Sequence, residues 1–156
     1  MSIIRIIHLN DITMRYAKEL VQILSEDTKL QNSMGSKKVK NTGNEFIAFC
    51  KEWAFSNNAD MFAIVLDKLA IGTISLSHQD VNIRKARIGY CISSNYWGNG
   101  YTSQAFSQVL NFAKLKGIEY VSASIKEDNL ASKRIWEKYG AKIELINNRY
   151  LVSIYL

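Results

Sequence analysis

The residues best suited to chemistry lie between Tyr90 and Ser103, in the run Tyr90-Cys91-Ile92-Ser93-Ser94-Asn95-Tyr96-Trp97-Gly98-Asn99-Gly100-Tyr101-Thr102-Ser103. Gly98 and Gly100 stand where a helix is expected to begin. Glycines at such a place let the backbone approach a ligand closely and turn several N–H groups outward. The first turn of a helix adds unpaired N–H donors and a partial positive charge. The combination suits a phosphate or pyrophosphate. A Gly-x-Gly pair before a helix also occurs as an ordinary turn, so the motif needs support from elsewhere in the chain.

Charge gives some of that support. The net charge is +6; up to Asp60 eight Lys and Arg stand against seven Asp and Glu, and from Met61 onward twelve stand against seven. The excess lies in the half that carries the glycine loop, where it suits an anionic ligand or nucleic acid, or serves solubility alone. The 156 residues are read as a single domain, 1–156, large enough to bury a core without metals or disulfides. A hydrophobic share of 47% and a charged share of 22% are those of a soluble globular protein. No apolar run approaches a membrane span, and the segment from Met1 to Asp11 turns polar too early for a signal peptide. Cys50 and Cys91 lie far apart in unlike contexts and signal neither a metal site nor a disulfide. Reduced thiols, a cytoplasmic location and no metal are expected.

The elements around the loop follow from periodicity. Ile88, Tyr90 and Ile92 alternate as a buried strand within Lys85 to Ser93, and Ser93 to Gly100 is a tight loop. Phe106, Val109, Leu110 and Ala113 then fall at the i, i+3, i+4, i+7 spacing of one buried helix face, with the helix ending at Gly117. Upstream, Ile3 to Leu9 reads as a first strand. Asn10-Asp11 offers an N-cap for a helix to Ser25, with Ile12, Tyr16, Leu20, Ile23 and Leu24 on one side. Thr28 to Gly43 is polar, lysine-rich and aperiodic; it reads as a surface loop, either mobile or closing over a substrate. Asn44 opens a helix with the stripe Phe46, Phe49, Cys50, Trp53.

Met61 to Leu66 and Leu69 to Ser77, joined at Asp67-Lys68, form an antiparallel hairpin, and His78 to Arg84 is a polar turn. Glu119 to Lys126 is a strand with Val121, Ala123 and Ile125 on one face and Ser122, Ser124 and Lys126 on the other. A whole helix separates it from the strand ending at Ser93, so the two run parallel. Asp128 or Asn129 caps a helix to Tyr139, stopped by Gly140. Ala141 to Ile146 and Tyr150 to Leu156 close the chain as a hairpin about Asn147-Asn148.

This order of elements, with two motifs inside it, resembles the GNAT superfamily of acetyl-CoA-dependent N-acetyltransferases over nearly the whole chain. Trp97-Gly98-Asn99-Gly100-Tyr101-Thr102 is similar to the family's pyrophosphate loop, Gln/Arg-x-x-Gly-x-Gly/Ala. Asn129-Leu130-Ala131-Ser132, continuing through Glu137-Lys138-Tyr139-Gly140-Ala141, is similar to its second cofactor motif, and Asn129 follows Gly100 by 29 positions. Ile88-Gly89-Tyr90 followed by Tyr96-Trp97-Gly98 most resembles the branch that acetylates ribosomal-protein N-termini. The implied fold is α/β (α+β): a mixed, mostly antiparallel sheet of six to seven strands, about four helices, and two splayed parallel strands at its centre. The implied co-substrate is acetyl-CoA. Its pyrophosphate would rest on the N–H groups of Gly98, Asn99, Gly100, Tyr101, Thr102 and Ser103. Its pantetheine would lie along Tyr90, Cys91 and Ile92 as an added strand. Asn129, with Ser132 in the same motif, would hold the arm from the far side. The amine attacks directly, with the carbonyl oxygen held by a backbone N–H.

Three departures from the family's pattern matter. Thr102 stands where Gly or Ala is preferred. Trp136 occupies the place, seven after Asn129, of the tyrosine that protonates the leaving thiolate. Ser124 occupies the place, five before Asn129, of a glutamate base. Ser132 is the substitute acid that the branch resemblance implies, with helix capping as its alternative role. For the base, Glu144 is the candidate; Glu127 reads as solvated and His78 as a turn residue, and water alone can carry the proton away. Tyr139 reads as core. Lys133, Arg134 and Lys138 read as a solvated helix face, with contact to cofactor phosphate as the alternative. The acceptor is an amine, on a small molecule or a protein N-terminus. A non-catalytic acyl-CoA-binding domain and a small basic nucleic-acid-binding module are the alternatives. The lack of a clustered basic motif argues against the latter. No membrane partner is expected, and a homodimer is left open.

Overall fold

The computed structural model describes residues 2–35 and 41–156. Seven strands form one sheet: β1 (Ile4–His8), β2 (Asp60–Leu66), β3 (Leu69–Asp80), β4 (Lys85–Ile92), β5 (Tyr120–Lys126), β6 (Lys142–Ile146) and β7 (Arg149–Tyr155), in the order β1-β2-β3-β4-β5-β7-β6. Every neighbouring pair is antiparallel except β4 and β5. Five helices accompany them: α1 (Met14–Glu26), α2 (Thr28–Met34), α3 (Gly43–Ser56), α4 (Tyr101–Leu115) and α5 (Leu130–Lys138).

Two apolar layers sandwich the sheet. On one face Phe106, Val109, Leu110 and Ala113 of α4 and Trp136 of α5 pack on Ile74, Leu76, Ile88, Val121 and Val152. On the other, Ala17 and Leu20 of α1 and Phe46 and Cys50 of α3 pack on Ala63, Val65 and Ala70. Alternation along β2 explains the division, since successive side chains point to opposite faces: Phe62 and Ile64 join the first layer, Ala63 and Val65 the second. The hairpin of β6 and β7 turns at Asn147 and Asn148, whose φ values of 51° and 65° are those of a tight type I′ turn.

Several elements differ from the sequence expectation, each for a local reason. α1 starts at Met14, because Thr13 is the cap that accepts from Tyr16 N at 3.2 Å; Asn10-Asp11 lie in a short 3-10 turn. The expected loop from Thr28 is α2 as far as Met34, capped by Asp27 and ended by Gly35 at φ 65°. The part of that expected loop at 36–40 lies outside the described residues. α3 is opened by Thr42 rather than Asn44, in a capping box with Glu45. Its buried stripe runs through Gly43, Phe46 and Cys50, which leaves Phe49 60% exposed instead of in the core. β3 continues past Ser77 to Asp80 through a register shift, so the turn begins only after Asp80, whose Oδ1 accepts from Asn82 N and Ile83 N.

Candidate functional site

β4 and β5 pair over three rungs only, Lys85 with Tyr120, Ala86 with Val121 and Arg87 with Ser122. Beyond them β4 stays with β3 through Ile92, while β5 stays with β7 through Lys126. The two parallel strands therefore diverge and leave a cleft at the centre of the sheet. Gly72 holds the β3 side of that divergence: a Cβ there would lie 2.2 Å from Cys91 O and 2.8 Å from Ile92 Cα, so only glycine lets β3 run this close to the end of β4.

The register decides which backbone groups of β4 face the cleft. Ser93 N donates to Ile71 O at 2.7 Å. Bonding residues alternate along an antiparallel pair, so Cys91 and Gly89 also turn their backbone toward β3. Tyr90 and Ile92 turn theirs toward the cleft. Cys91 is thus placed differently from its two neighbours, and its thiol lies 3.4 Å from Thr73 Oγ1. Of the cleft-facing groups, Ile92 O already accepts from Trp97 Nε1 at 3.0 Å.

The loop after β4 delivers the start of α4 to the cleft mouth. Gly98 and Gly100 have φ of 79° and 77°, the left-handed region, and a Cβ at either would meet no atom within 4 Å. Asn99 braces the loop, its Nδ2 donating to Tyr96 O and Trp97 O at 3.1 Å each. α4 begins at Tyr101 with no side-chain cap and no acidic residue in its first turn. The N–H groups of Tyr101, Thr102 and Ser103 are therefore first-turn donors that no side chain caps. Two groups of α5's end reach this turn: Lys138 Nζ donates to Ser103 Oγ and Tyr139 Oη to Ser103 O, both at 3.2 Å. Lys138 is exposed, as expected of a solvated helix face, and also brings a cation to an uncapped helix start.

Across the cleft stands the start of α5. Asn129 Oδ1 accepts from Ser132 N at 3.1 Å as its N-cap. Ser132 is buried, and its Oγ lies 2.5 Å from Tyr90 Oη. Burial pushes the Tyr90 hydroxyl above the ordinary tyrosine value, against the opposing pull of Ser132 and then Trp136. Trp136 is fully buried, and its Nε1 has no hydrogen-bond partner among the described residues. The Tyr90 hydroxyl is the site group that sequence reasoning missed. A signal for it existed: Tyr90 shares the alternation phase of Ile88 and Ile92, which puts its ring on the helix-covered face.

α2 lies on the other side of the mouth. Asp27, at its N-cap, accepts from Ser94 N and Ser94 Oγ at 2.7 Å each, just past the end of β4. Burial would raise the Asp27 carboxyl, but the bonds from Ser94 and Leu30 outweigh it and hold the group low. At the other end of α2, Lys126 Nζ, at the end of β5, donates to Ser33 O at 3.5 Å. The helix thus touches both divergent strands.

Glu144 lies apart from this cluster. It sits on the edge strand β6, opposite Leu151, and its Oε1 is 2.8 Å from Lys142 Nζ. It shares with Ser122, Ser124 and Leu151 an open concavity of about 430 Å³ on the sheet face that α1 and α3 leave bare. Ser124 is held there by Arg149, whose Nε donates to its Oγ at 2.6 Å.

The model of the acetyltransferase (GNAT) domain family matches residues 7–142. Among curated proteins, the uncharacterized N-acetyltransferase YoaA of Bacillus subtilis (strain 168) is 33% identical over 85 residues, a stretch that covers 54% of this chain and 48% of that protein. Among solved structures, Mycobacterium smegmatis RimJ in complex with CoA-disulfide superposes with a TM-score of 0.78 at 18% identity, over 99% of this chain and 87% of that one. RimL, a ribosomal L7/L12 alpha-N-protein acetyltransferase in complex with coenzyme A, does so at 0.77 and 14%, over 98% and 94%. The matched segment runs from within β1 to the first residue of β6 and contains the diverging strands, the glycine loop and the Asn129 cap; the chain belongs to the GNAT acetyltransferase family.

Proposed function

We propose that the chain moves the acetyl group of acetyl-CoA to a primary amine by direct attack within a ternary complex. The observation that carries the reading is the cleft between β4 and β5 opening beside an uncapped helix start that is rich in left-handed glycine. Acetyl-CoA, when bound, supplies a reactive thioester on a long arm with a pyrophosphate behind it. The residues present fit such a group. The N–H groups from Gly98 to Ser103 and the Lys138 ammonium offer donors and positive charge to the pyrophosphate. The cleft-facing backbone of Tyr90 and the N–H of Ile92 can bond the arm as an added strand would. Asn129 uses Oδ1 for its own cap, which leaves its amide N–H groups for the arm.

Much of the rate comes from positioning two reactants in one cleft. Ser132, at the first turn of α5, gives a proton to the departing sulfur. The amine loses its proton to solvent through the open face of the sheet. Glu144, which the sequence offered as base, is committed to Lys142 and to an edge strand, so Glu144→Gln is expected to leave turnover within about twofold. RimL's acceptor class, a protein N-terminus, makes N-terminal peptides the first acceptors to try. Small amines follow.

The test is steady-state release of free thiol from acetyl-CoA across a panel of peptides and small amines. Ser132→Ala should lower kcat roughly tenfold to a hundredfold, the low end of general-acid effects, and leave acetyl-CoA affinity nearly intact. One observation favours a second reading, a domain that binds acyl-CoA without turning it over: the buried Trp136 at the position of the family's tyrosine. Binding of acetyl-CoA with no thiol release in any arm would decide for it.

A further inference from the structure

Ser132 alone is a poor proton source. A thiol ionises near 8.5, whereas an alkyl hydroxyl holds its proton far more tightly, more tightly also than a phenol whose proton burial retains, as at Tyr90. Its Oγ, however, is within 2.5 Å of a phenol, and the two residues sit on opposite sides of the cleft, 42 positions apart in the chain. A phenol on β4 thus touches the first turn of α5. Trp136 brings a second feature. Its buried N–H has no hydrogen-bond partner among the described residues.

We propose that Tyr90 is a positioning residue for acetyl transfer, its hydroxyl holding Ser132 Oγ with the serine proton turned to the cleft and resupplying that proton when it is given up. The proposal rests on the acetyl-transfer reading. In the step, Ser132 O–H breaks as an S–H bond forms, and Tyr90 O–H breaks as Ser132 O–H re-forms. Tyr90 regains its proton through Ser132 from solvent once the product has left. Meanwhile the amine loses one proton to solvent. Net, a C–S bond is replaced by C–N and an N–H by S–H, so charge and protons balance.

Tyr90→Phe keeps the ring, which packs edge-on to Phe106 at 6.2 Å, and removes only the oxygen. Its kcat for thiol release should fall roughly tenfold to a hundredfold, with the acetyl-CoA Kd from calorimetry within about twofold of the parent's. Tyr90→Phe combined with Ser132→Ala should be no slower than Ser132→Ala alone, since both break one relay. Urea unfolding of the same four ligand-free proteins should show the two changes coupled, because the bond they share is counted once. Full kcat in Tyr90→Phe overturns the proposal, as do losses that multiply in the double variant or an absence of coupling in unfolding. Those results leave acetyl transfer standing if the parent turns over. A parent that binds acetyl-CoA and releases no thiol overturns both.

Discussion

Gly100 illustrates what a single residue contributes. Its φ of 77° is one that a β-branched side chain strongly resists, and the space beside it is open. Both facts leave room for a ligand to come close to the loop. Gly100→Val is therefore expected to lower acetyl-CoA affinity at least about tenfold while keeping the far-ultraviolet circular dichroism of the parent. The strain should cost about 1–2 kcal/mol, too little to unfold a chain of this size. Normal binding by a folded variant would reduce the loop to a turn. The glycine pair was legible in the sequence because a left-handed backbone before a helix has few other spellings. The bond between Tyr90 and Ser132 was not, since no local pattern tells which strand residue a helix will meet after a chain reversal. Glu144 was offered as a base from its residue type and strand; the structure places it on the edge strand, beside Lys142.

Among the elements, α2 was the one hidden from sequence reading. At seven residues it has too few turns for a periodic apolar signal, and only Leu30 is buried. Its boundaries were nevertheless written in the chain, as Asp27 at the N-cap and Gly35 past the end. The other helices were legible as elements because each spans enough turns to show a buried stripe. Their exact starts depended on which of several polar residues captured the first N–H. At the end of the sheet opposite the cleft, β1, β2, β3 and α4 are tied by one carboxylate. Asp60 accepts from His8 Nε2, Gln79 Nε2 and Lys116 Nζ, each at 2.8 Å. His8 Nδ1 takes the Asn10 N–H, which leaves Nε2 as the nitrogen that donates. Burial would raise the Asp60 carboxyl, but Gln79, Lys116 and His8 outweigh it and bring it down to about 2 from 3.8. A depressed carboxyl adds stability that is complete above its unfolded value and is lost as pH falls through its folded one. Asp60→Asn should thus be less stable than the parent by about 1.5–3 kcal/mol at neutral pH. In urea unfolding that difference should shrink between pH about 4 and about 2. A difference that held constant down to pH 2 would mean that the ionised form plays no part.

For the molecule as a whole, the decisive feature is that its sheet is nearly two sheets. β1 to β4 form one antiparallel unit, β5, β7 and β6 another, and three parallel rungs join them. α4 and α5 cover one face of the junction, the Tyr90–Ser132 bond crosses it, and α2 touches both sides at the mouth. A ligand lying in the cleft as an added strand would bond both halves and stabilise the native chain alone, so its effect should be read in the melting of the whole protein. At a concentration a hundredfold above Kd the linkage adds about 2.7 kcal/mol. For a chain of about 150 residues each kcal/mol is worth about 2–4 °C, so acetyl-CoA should raise Tm by about 5–10 °C. Pantetheine, which has the arm without the pyrophosphate, should shift it far less, and added salt should reduce the acetyl-CoA shift because the uncapped start of α4 and Lys138 act through charge. In Gly100→Val the shift should vanish while the unliganded Tm falls only by the strain. A melt that stays flat at millimolar acetyl-CoA would remove the cleft from the reckoning. An equal shift from pantetheine would keep the cleft and discard the loop as its anion site.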